Sequence, residues 1–325
     1  MDYVGIDVSK DQLQVCLLTQ GRVQRQFANR ETGWRELTAW LSEQGEVWVA
    51  LEATGRYSDG VSQALVEAGI RLSVVNPARI AAYRQSQLKR HKTDAVDAQL
   101  IADFCRTQQP PLWAPPTPAE RELRALVRHR DDLKDLRQAE RNRLESQPPS
   151  ATVVRQLRAL LVLLDGQIAE VEQQIRDHVD RHPDLKAQHN LLTSIPGIGD
   201  QTSVQLLAEL GDLRRFTNVR QVVALVGLNP QQRHSGSSIH YTAGIARMGR
   251  SSLRAALYLP AVVAKRHNPL LKAFAERLAA RGLSPQAVVV AVMRKLLHLA
   301  YGVIRSNRPF DPHFGQPSPA VPVTT

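Results

Sequence analysis

Five prolines fall within nine residues, at positions 110, 111, 115, 116 and 118. Proline has no backbone N–H to donate and fixes φ, so neither a helix nor a sheet ladder continues through such a run. The chain is therefore expected to fold in at least two pieces, and its 325 residues exceed what one core usually organises. The expected boundaries are a first domain over 1–112, a helical arm over 117–182, a second domain over 187–308 and a Pro-rich, disordered tail over 309–325.

Ahead of the break, Tyr3 to Asp7, Leu13 to Leu18 and Val23 to Phe27 are short runs rich in Val, Ile, Leu and Phe, which read as three strands. Thr32 to Gln44 places Trp34, Leu37, Trp40 and Leu41 on one helical face, and Val47 to Leu51 returns to strand. A helix from Asp59 to Glu67 ends at Gly69, and a strand from Leu72 to Val75 stops at Asn76-Pro77. A meander followed by alternating units predicts a mixed sheet covered by helices.

Beyond the break, Glu120 to Gln147 reads as one charged helix that Pro148-Pro149 stop. Val154, Leu157, Leu161, Leu164, Ile168, Val171 and Ile175 then recur in steps of four and three, which is a heptad seam. Two such helices can form an antiparallel hairpin, a dimerising arm or a spacer burying its own stripe. His182-Pro183 ends that segment, and Leu191 to about Ile304 is expected to be mostly helical, with Ser284-Pro285 opening its last helix.

Composition narrows the partners. With 42 Lys+Arg against 31 Asp+Glu, the formal charge is +11, which favours a polyanion, nucleic acid first, over acidic small substrates. Cys16 and Cys105 are far apart and show no metal-ligand or disulfide spacing, so two buried thiols in a reducing cytosol are expected. Met1-Asp2-Tyr3 leads directly into a strand, and no apolar stretch reads as the roughly 18 residues a membrane span needs, so neither secretion nor membrane insertion is expected.

Acids stand where apolar strands should be uninterrupted. Asp7 breaks Val4-Gly5-Ile6-Asp7-Val8, and Glu52 follows Trp48-Val49-Ala50-Leu51. An ionised carboxylate buried without a partner is costly, so something cationic should lie beside Asp7. Asp94 and Asp97, three residues apart in Lys92-Thr93-Asp94-Ala95-Val96-Asp97-Ala98, project from one face of a helix near its positive end. Singly, these acids read as a helix cap, a first-turn charge and strand ends. Together, hard oxygen ligands that would otherwise repel one another suit Mg²⁺, in the layout of ribonuclease-H-like nucleic-acid enzymes.

Other segments could hold nucleic acid. Lys89, Arg90, His91 and Lys92 form a basic run that could take phosphates or simply be solvated. Gly197 and Gly199, in Ile195-Pro196-Gly197-Ile198-Gly199, would let backbone N–H groups reach a phosphate at a helix start, as in a helix-hairpin-helix element. A polar, glycine-punctuated loop carries Arg233, Ser235, Ser237 and Ser238, followed by Arg247, Arg250 and Arg254. From composition alone Ser235 is an ordinary loop residue.

Gly5-Ile6-Asp7, Glu52-Ala53-Thr54-Gly55, Lys92-Thr93-Asp94-x-x-Asp97-Ala98, Ile195-Pro196-Gly197-Ile198-Gly199 and Ser235-Gly236-Ser237-Ser238 occur in the order that resembles the DEDD transposases of the IS110 insertion-sequence family, relatives of the Piv invertases. The resemblance runs from about Tyr3 to Arg305. It implies that Asp7, Glu52, Asp94 and Asp97 are the four metal-binding acids of a RuvC-like domain. It further implies that Ser235, in a C-terminal transposase domain, attacks a DNA phosphate through a phosphoserine ester, so that strands rejoin without ATP. The resemblance also implies a bridge RNA pairing with donor and target DNA, which makes base pairing the reader of sequence; separately, a heptad arm that pairs chains would give a homo-oligomer, dimer or tetramer. Where relatives often carry Ser-Lys-x-Gly, this chain has Ala246-Arg247-Met248-Gly249.

Three rivals use some of the same features. A junction-resolving nuclease would use the four acids to activate water and need no serine. An actin-like ATPase also opens on Gly-Ile-Asp but requires a second phosphate-loop strand pair that is not found. A non-catalytic nucleic-acid-binding protein explains the charge and leaves the acids unexplained.

Overall fold

The protein is described here from a computed structural model, covering all residues except 20, 88–92, 148–149, 236–238, 246–248 and 314–325, and the side chains of 56, 231–235 and 239–244. It divides into two compact units, Met1–Pro115 and Pro116–Thr325.

The first unit opens with the strands β1 (Asp2–Val8), β2 (Gln12–Leu18) and β3 (Arg22–Ala28), followed by α1 (Glu31–Glu43), β4 (Val47–Glu52), α2 (Arg56–Glu67), β5 (Arg71–Val75), α3 (Pro77–Ser86) and α4 (Asp94–Gln108). Its five-stranded mixed sheet has the order β3-β2-β1-β4-β5: the meander pairs antiparallel, and β1–β4 and β4–β5 are parallel. This mixed α/β sheet fits a RuvC-like amino-terminal domain. Side chains alternate across a strand, so the sheet supports a core on each of its faces. Val4, Ile6, Leu13, Val15, Val49 and Leu51 pack with Leu37, Leu41, Val61 and Leu65 of α1 and α2. Trp48, Ala50 and Val75 pack on the other face with Ile80, Leu100, Ile101 and Phe104 of α3 and α4.

Helix α3 departs from the sequence reading, in which Asn76-Pro77 only ends a strand. The Asn76 side chain accepts the Ala78 N–H at 2.8 Å and Pro77 occupies the first helical position, so the pair that stops β5 starts a helix.

In the second unit α5 (Pro118–Glu145) begins with a capping box, in which the Thr117 hydroxyl accepts the Glu120 N–H and the Glu120 carboxylate accepts the Thr117 N–H. It is followed by α6 (Ala151–Arg181). Lys134 pairs with Glu172 at 2.8 Å, Arg137 with Asp165 at 2.9 Å, and His178 Nε2 lies 2.9 Å from Ala119 O, so the two helices run antiparallel. The sequence-derived seam is buried within this one chain: Leu164, Ile168, Val171 and Ile175 join Leu123, Val127 and Leu133.

Helix α6 ends at His182-Pro183, where the sequence reading places the end of the arm. His182 closes α6 and at once opens α7 (Pro183–Thr193). The order continues with α8 (Asp200–Leu210), a single 3-10 turn (Leu213–Arg215), α9 (Val219–Val226), β6 (Pro230–Ser235), β7 (Ile239–Ile245), α10 (Ser251–His267), α11 (Pro269–Ala280) and α12 (Pro285–Ser306). The strands β6 and β7 form an antiparallel hairpin where the sequence reads as a loop. The polar Gln231-Gln232-Arg233-His234 gives no apolar alternation, so pairing with the β-prone Ile239-His240-Tyr241-Thr242 had no local signature.

A second correction concerns α12. It has a mean hydropathy of 1.7 over 18 residues, so it is long and apolar enough to cross a membrane by length and composition, contrary to the sequence expectation. Half of that window is buried, and Val288, Val292, Met293, Leu296, Leu297 and Ala300 belong to the helical core, which accounts for the apolarity. The residues described at the C-terminal end reach His313, and the remainder of the Pro-rich tail lies outside the described residues.

Candidate active site

Alternation and register together place two acids side by side. Gly5 and Asp7 share one face of β1, and Ala50 and Glu52 share one face of β4. The strands pair in parallel with Gly5 opposite Ala50 and Ile6 opposite Leu51, so Asp7 and Glu52 end neighbouring strands on the face that α4 covers. Gly5 makes that cover possible. A Cβ there would stand 2.1 Å from Ala98 O and 2.2 Å from Ala102 N, so only glycine lets α4 lie directly on β1. The first turn of α4 thereby brings Asp94 and Asp97 beside the strand ends, with the Thr93 hydroxyl accepting the Val96 N–H as cap. Thr93, not Asp94, is the N-cap.

The four carboxylates share one electrostatic environment. The Asp7 carboxyl is pushed up from 3.8 to about 6, first by burial and then by the negative charges of Asp97, Asp94 and Glu52. Arg84, on α3, pulls in the opposite direction. It is the cation that the sequence required beside Asp7 without identifying it. Its guanidinium lies 2.8 Å from Asp97 Oδ1. That contact is an ion pair by distance only, because Asp97 Oδ1, although buried, receives no hydrogen bond. Thr54 Oγ1, two residues past Glu52, is likewise buried without a partner.

Among the described residues, no three His, Cys, Asp or Glu side chains stand close enough to enclose one ion. The acids are within mutual electrostatic reach without forming a closed ligand shell, as expected of like charges held apart by repulsion while one of them leans on an arginine. The donor set nonetheless fits a hard divalent cation. It consists of carboxylate oxygens alone, and it includes a buried acceptor with no hydrogen-bond donor.

Sequence reasoning missed other residues at this site. Gln14 is opposite Asp7 in the β1–β2 register and is 9% exposed. Gln24, on the edge strand β3, donates to Ala95 O at 3.2 Å, between the two aspartates of α4. A polar residue inside the apolar run Leu13 to Leu18 was the available signal for Gln14. Arg84 had none, since a single arginine near a helix end is unremarkable in so basic a chain.

The expected nucleic-acid residues fare variously. Lys89, Arg90, His91, Lys92, Arg247, Ser237 and Ser238 lie outside the described residues. Ser235 is the last residue of β6, opposite Ile239, and Arg233 lies two positions before it opposite Tyr241. Arg250 donates to the backbone oxygen of Glu209 and, at 2.8 Å, to its carboxylate, which Arg128 also meets at 3.3 Å. Arg254 donates to Val226 O at 2.9 Å. Both arginines thus have protein partners. Gly197 has φ +109, and a Cβ on it would come within 2.5 Å of the Ala264 methyl, so it permits close packing on α10. Gly199 is the N-cap of α8, with no side chain capping the helix start.

Comparison with known proteins accords with this arrangement. A DEDD transposase model of the IS110 type, described as transposase, matches residues 4–147, and a second, described as transposase of the IS116/IS110/IS902 family, matches residues 189–276. A pilin gene-inverting protein of Moraxella lacunata is 34% identical over 95% of this chain and 97% of its own length, and the Moraxella bovis counterpart is 33% identical over the same shares. The transposase for insertion sequence element IS1111A of Coxiella burnetii is 24% identical over 89% of this chain and 86% of its own length. The chain therefore belongs to the IS110 family of transposases and is an enzyme of the DNA transposase/recombinase class.

Proposed function

We propose that this enzyme is the RNA-guided recombinase of an insertion sequence, cleaving and rejoining DNA with a metal-binding acid cluster and a serine nucleophile. The observation that carries the reading is the gathering of the acids at the ends of β1 and β4 and the start of α4, where the Asp7 carboxyl is raised first by burial and then by Asp97, Asp94 and Glu52, because acids that far apart in sequence are seldom brought together at such cost without a purpose. In this reading Asp7, Glu52, Asp94 and Asp97 hold Mg²⁺. When bound, Mg²⁺ would polarise phosphoryl oxygens and stabilise the charge developing on them.

Ser235 supplies the nucleophile. Its hydroxyl oxygen bonds to phosphorus and a deoxyribose oxygen leaves, and the phosphoserine ester conserves the energy needed for rejoining. The Gly197–Gly199 turn and the uncapped start of α8 form the helix-hairpin-helix-like element and offer backbone N–H groups to a phosphate. Lys89, Arg90, Lys92, Arg233 and Arg247 add positive charge along the nucleic acid, and Arg250 and Arg254 hold that surface in shape. Sequence choice falls to a bridge RNA pairing with donor and target DNA. The domains are a RuvC-like unit over 1–112, an α5–α6 coiled-coil arm over 117–182 and a transposase domain over 187–308, and protomers assemble as a dimer or tetramer. The protein would work in the bacterial cytoplasm on nucleoid DNA, the substrate class on which its gene-inverting and transposing relatives act.

The test is covalent trapping. Incubated with labelled donor DNA, bridge RNA and Mg²⁺, then denatured, the enzyme should carry DNA on Ser235. Ser235→Ala should bind nucleic acid and yield neither adduct nor cleavage, and Asp7→Asn should lose both through loss of metal. Cleavage persisting in Ser235→Ala would replace this reading with a water-activating junction nuclease.

A further inference from the structure

We infer that Arg84 is a mobile cation of the acid site: it neutralises Asp97 in the metal-free enzyme and passes to a DNA phosphate when a divalent ion takes its place. This rests on the metal-binding reading proposed above and adds to it a substrate-contacting residue that the four-acid motif does not contain.

Three observations carry it. The first is position. Helix α3 is fastened to α4 by Ile80, which is buried, by Tyr83, whose hydroxyl donates to Asp103 at 2.7 Å, and by Arg79, which lies over the Phe104 ring at 5.3 Å. These contacts hold α3 along the later turns of α4, and the long Arg84 side chain reaches from there to Asp97 in the first turn.

The second is the character of the pair. The Arg84 side chain is 26% exposed and that of Asp97 10%, so the carboxylate lies inside and the guanidinium at the mouth. The 2.8 Å approach gives Asp97 Oδ1 no hydrogen bond, so the contact rests on charge without the directional bond that would lock it. A divalent ion carries twice the charge and needs no N–H alignment, so it can displace the guanidinium from that oxygen.

The third is chemistry. A guanidinium presents five donors in a planar fork that matches a phosphate's two free oxygens, and it keeps its charge at any working pH. Released from Asp97, it stands at the opening of a site whose substrate is a phosphodiester. A lysine would supply the charge without the fork.

The experiment uses the full-length protein with two variants, Arg84→Gln and Arg84→Lys. Calorimetric titration with Mn²⁺ in the absence of DNA measures competition for Asp97. Duplex DNA binding by anisotropy in Ca²⁺, across a range of salt, measures the phosphate contact. Arg84→Gln should bind Mn²⁺ at least about threefold tighter, while DNA binding weakens about tenfold and the slope of log affinity against log salt falls by about one. A residue that merely braced α4 would move metal affinity the other way or leave the salt slope unchanged. Arg84→Lys should keep Mn²⁺ affinity within about twofold of the parent and still lose several-fold in DNA affinity. If Arg84→Gln fails to fold by circular dichroism, Arg84→Lys decides. Unchanged or weaker Mn²⁺ binding in Arg84→Gln, an unchanged salt slope, or undiminished DNA binding in Arg84→Lys overturns the inference and leaves the four-acid reading intact. A parent protein that takes up no Mn²⁺ removes that reading, and this inference with it.

Discussion

Replacing Asp7 by asparagine should make the metal-free protein more stable at neutral pH. The Asp7 carboxyl sits at about 6 in the folded chain against an ordinary 3.8, first because it is buried and then because Asp97, Asp94 and Glu52 surround it. The folded state therefore holds the proton more tightly than the unfolded state, so ionisation is a penalty on folding. The penalty is small below about pH 4, grows between 4 and 6, and is complete above 6. At about 1.4 kcal/mol per tenfold change in proton affinity, the shift sets an upper bound of roughly 3 kcal/mol, which solvent screening at this half-buried group reduces. Asparagine, of the same shape, does not ionise. All four tryptophans, 34, 40, 48 and 113, lie in the first unit, so urea unfolding followed by tryptophan fluorescence reports on this unit. In EDTA at pH 7.5 the Asp7→Asn protein should unfold at higher urea, by up to about 3 kcal/mol, and near pH 4 the advantage should fall below about 1 kcal/mol. Saturating Mg²⁺ should reverse the order, because it stabilises the parent through mass action and the variant far less. An asparagine variant that is less stable than the parent in EDTA, by the same amount at both pH values, would refute the reasoning. It would mean that Asp7 is a well-paired anion.

The remaining predictions concern packing and pairing. Gly5→Ala should destabilise the first unit by about 3 kcal/mol or more and weaken Mg²⁺-dependent stabilisation, since the new methyl meets the backbone of α4 at Ala98 and Ala102; a neutral result in the same fluorescence titration would contradict the close β1–α4 approach. Arg250→Ala should cost about 2–3 kcal/mol by leaving the buried Glu209 with Arg128 as its remaining ion-pair partner; a variant of parental stability that bound DNA more weakly would instead make Arg250 a phosphate contact. Ile168→Ala, in the buried face of α6, should cost about 2–5 kcal/mol in thermal or urea unfolding followed by circular dichroism, and a cost under about 1 kcal/mol would show that the seam does not pack in this chain.

Several features are legible in residues near one another along the chain. Strand alternation in β1 and β4 fixes which residues share a face, and the proline run at 110–118 spans the boundary along the chain between the two compact units. Serine and proline start α12, where the Ser284 hydroxyl accepts the Ala287 N–H, and the 4-3 spacing marks the face that α6 buries. These are local consequences of period, cap and ring closure, which a few consecutive residues are enough to specify. The odd acids Asp7 and Glu52 are visible for the same reason, as interruptions in an apolar period.

Tertiary structure decided what depends on partners remote in sequence. The β1–β4 register makes Asp7 and Glu52 neighbours, and a glycine whose use appears only against α4 brings Asp94 and Asp97 to them. The site's counter-ion proves to be Arg84, from a helix that the sequence reading did not assign, while Arg250 and Arg254 turn to Glu209 and Val226. A charged side chain selects its partner by distance through a low-dielectric interior, and that distance exists only after sheet order and helix packing have set it.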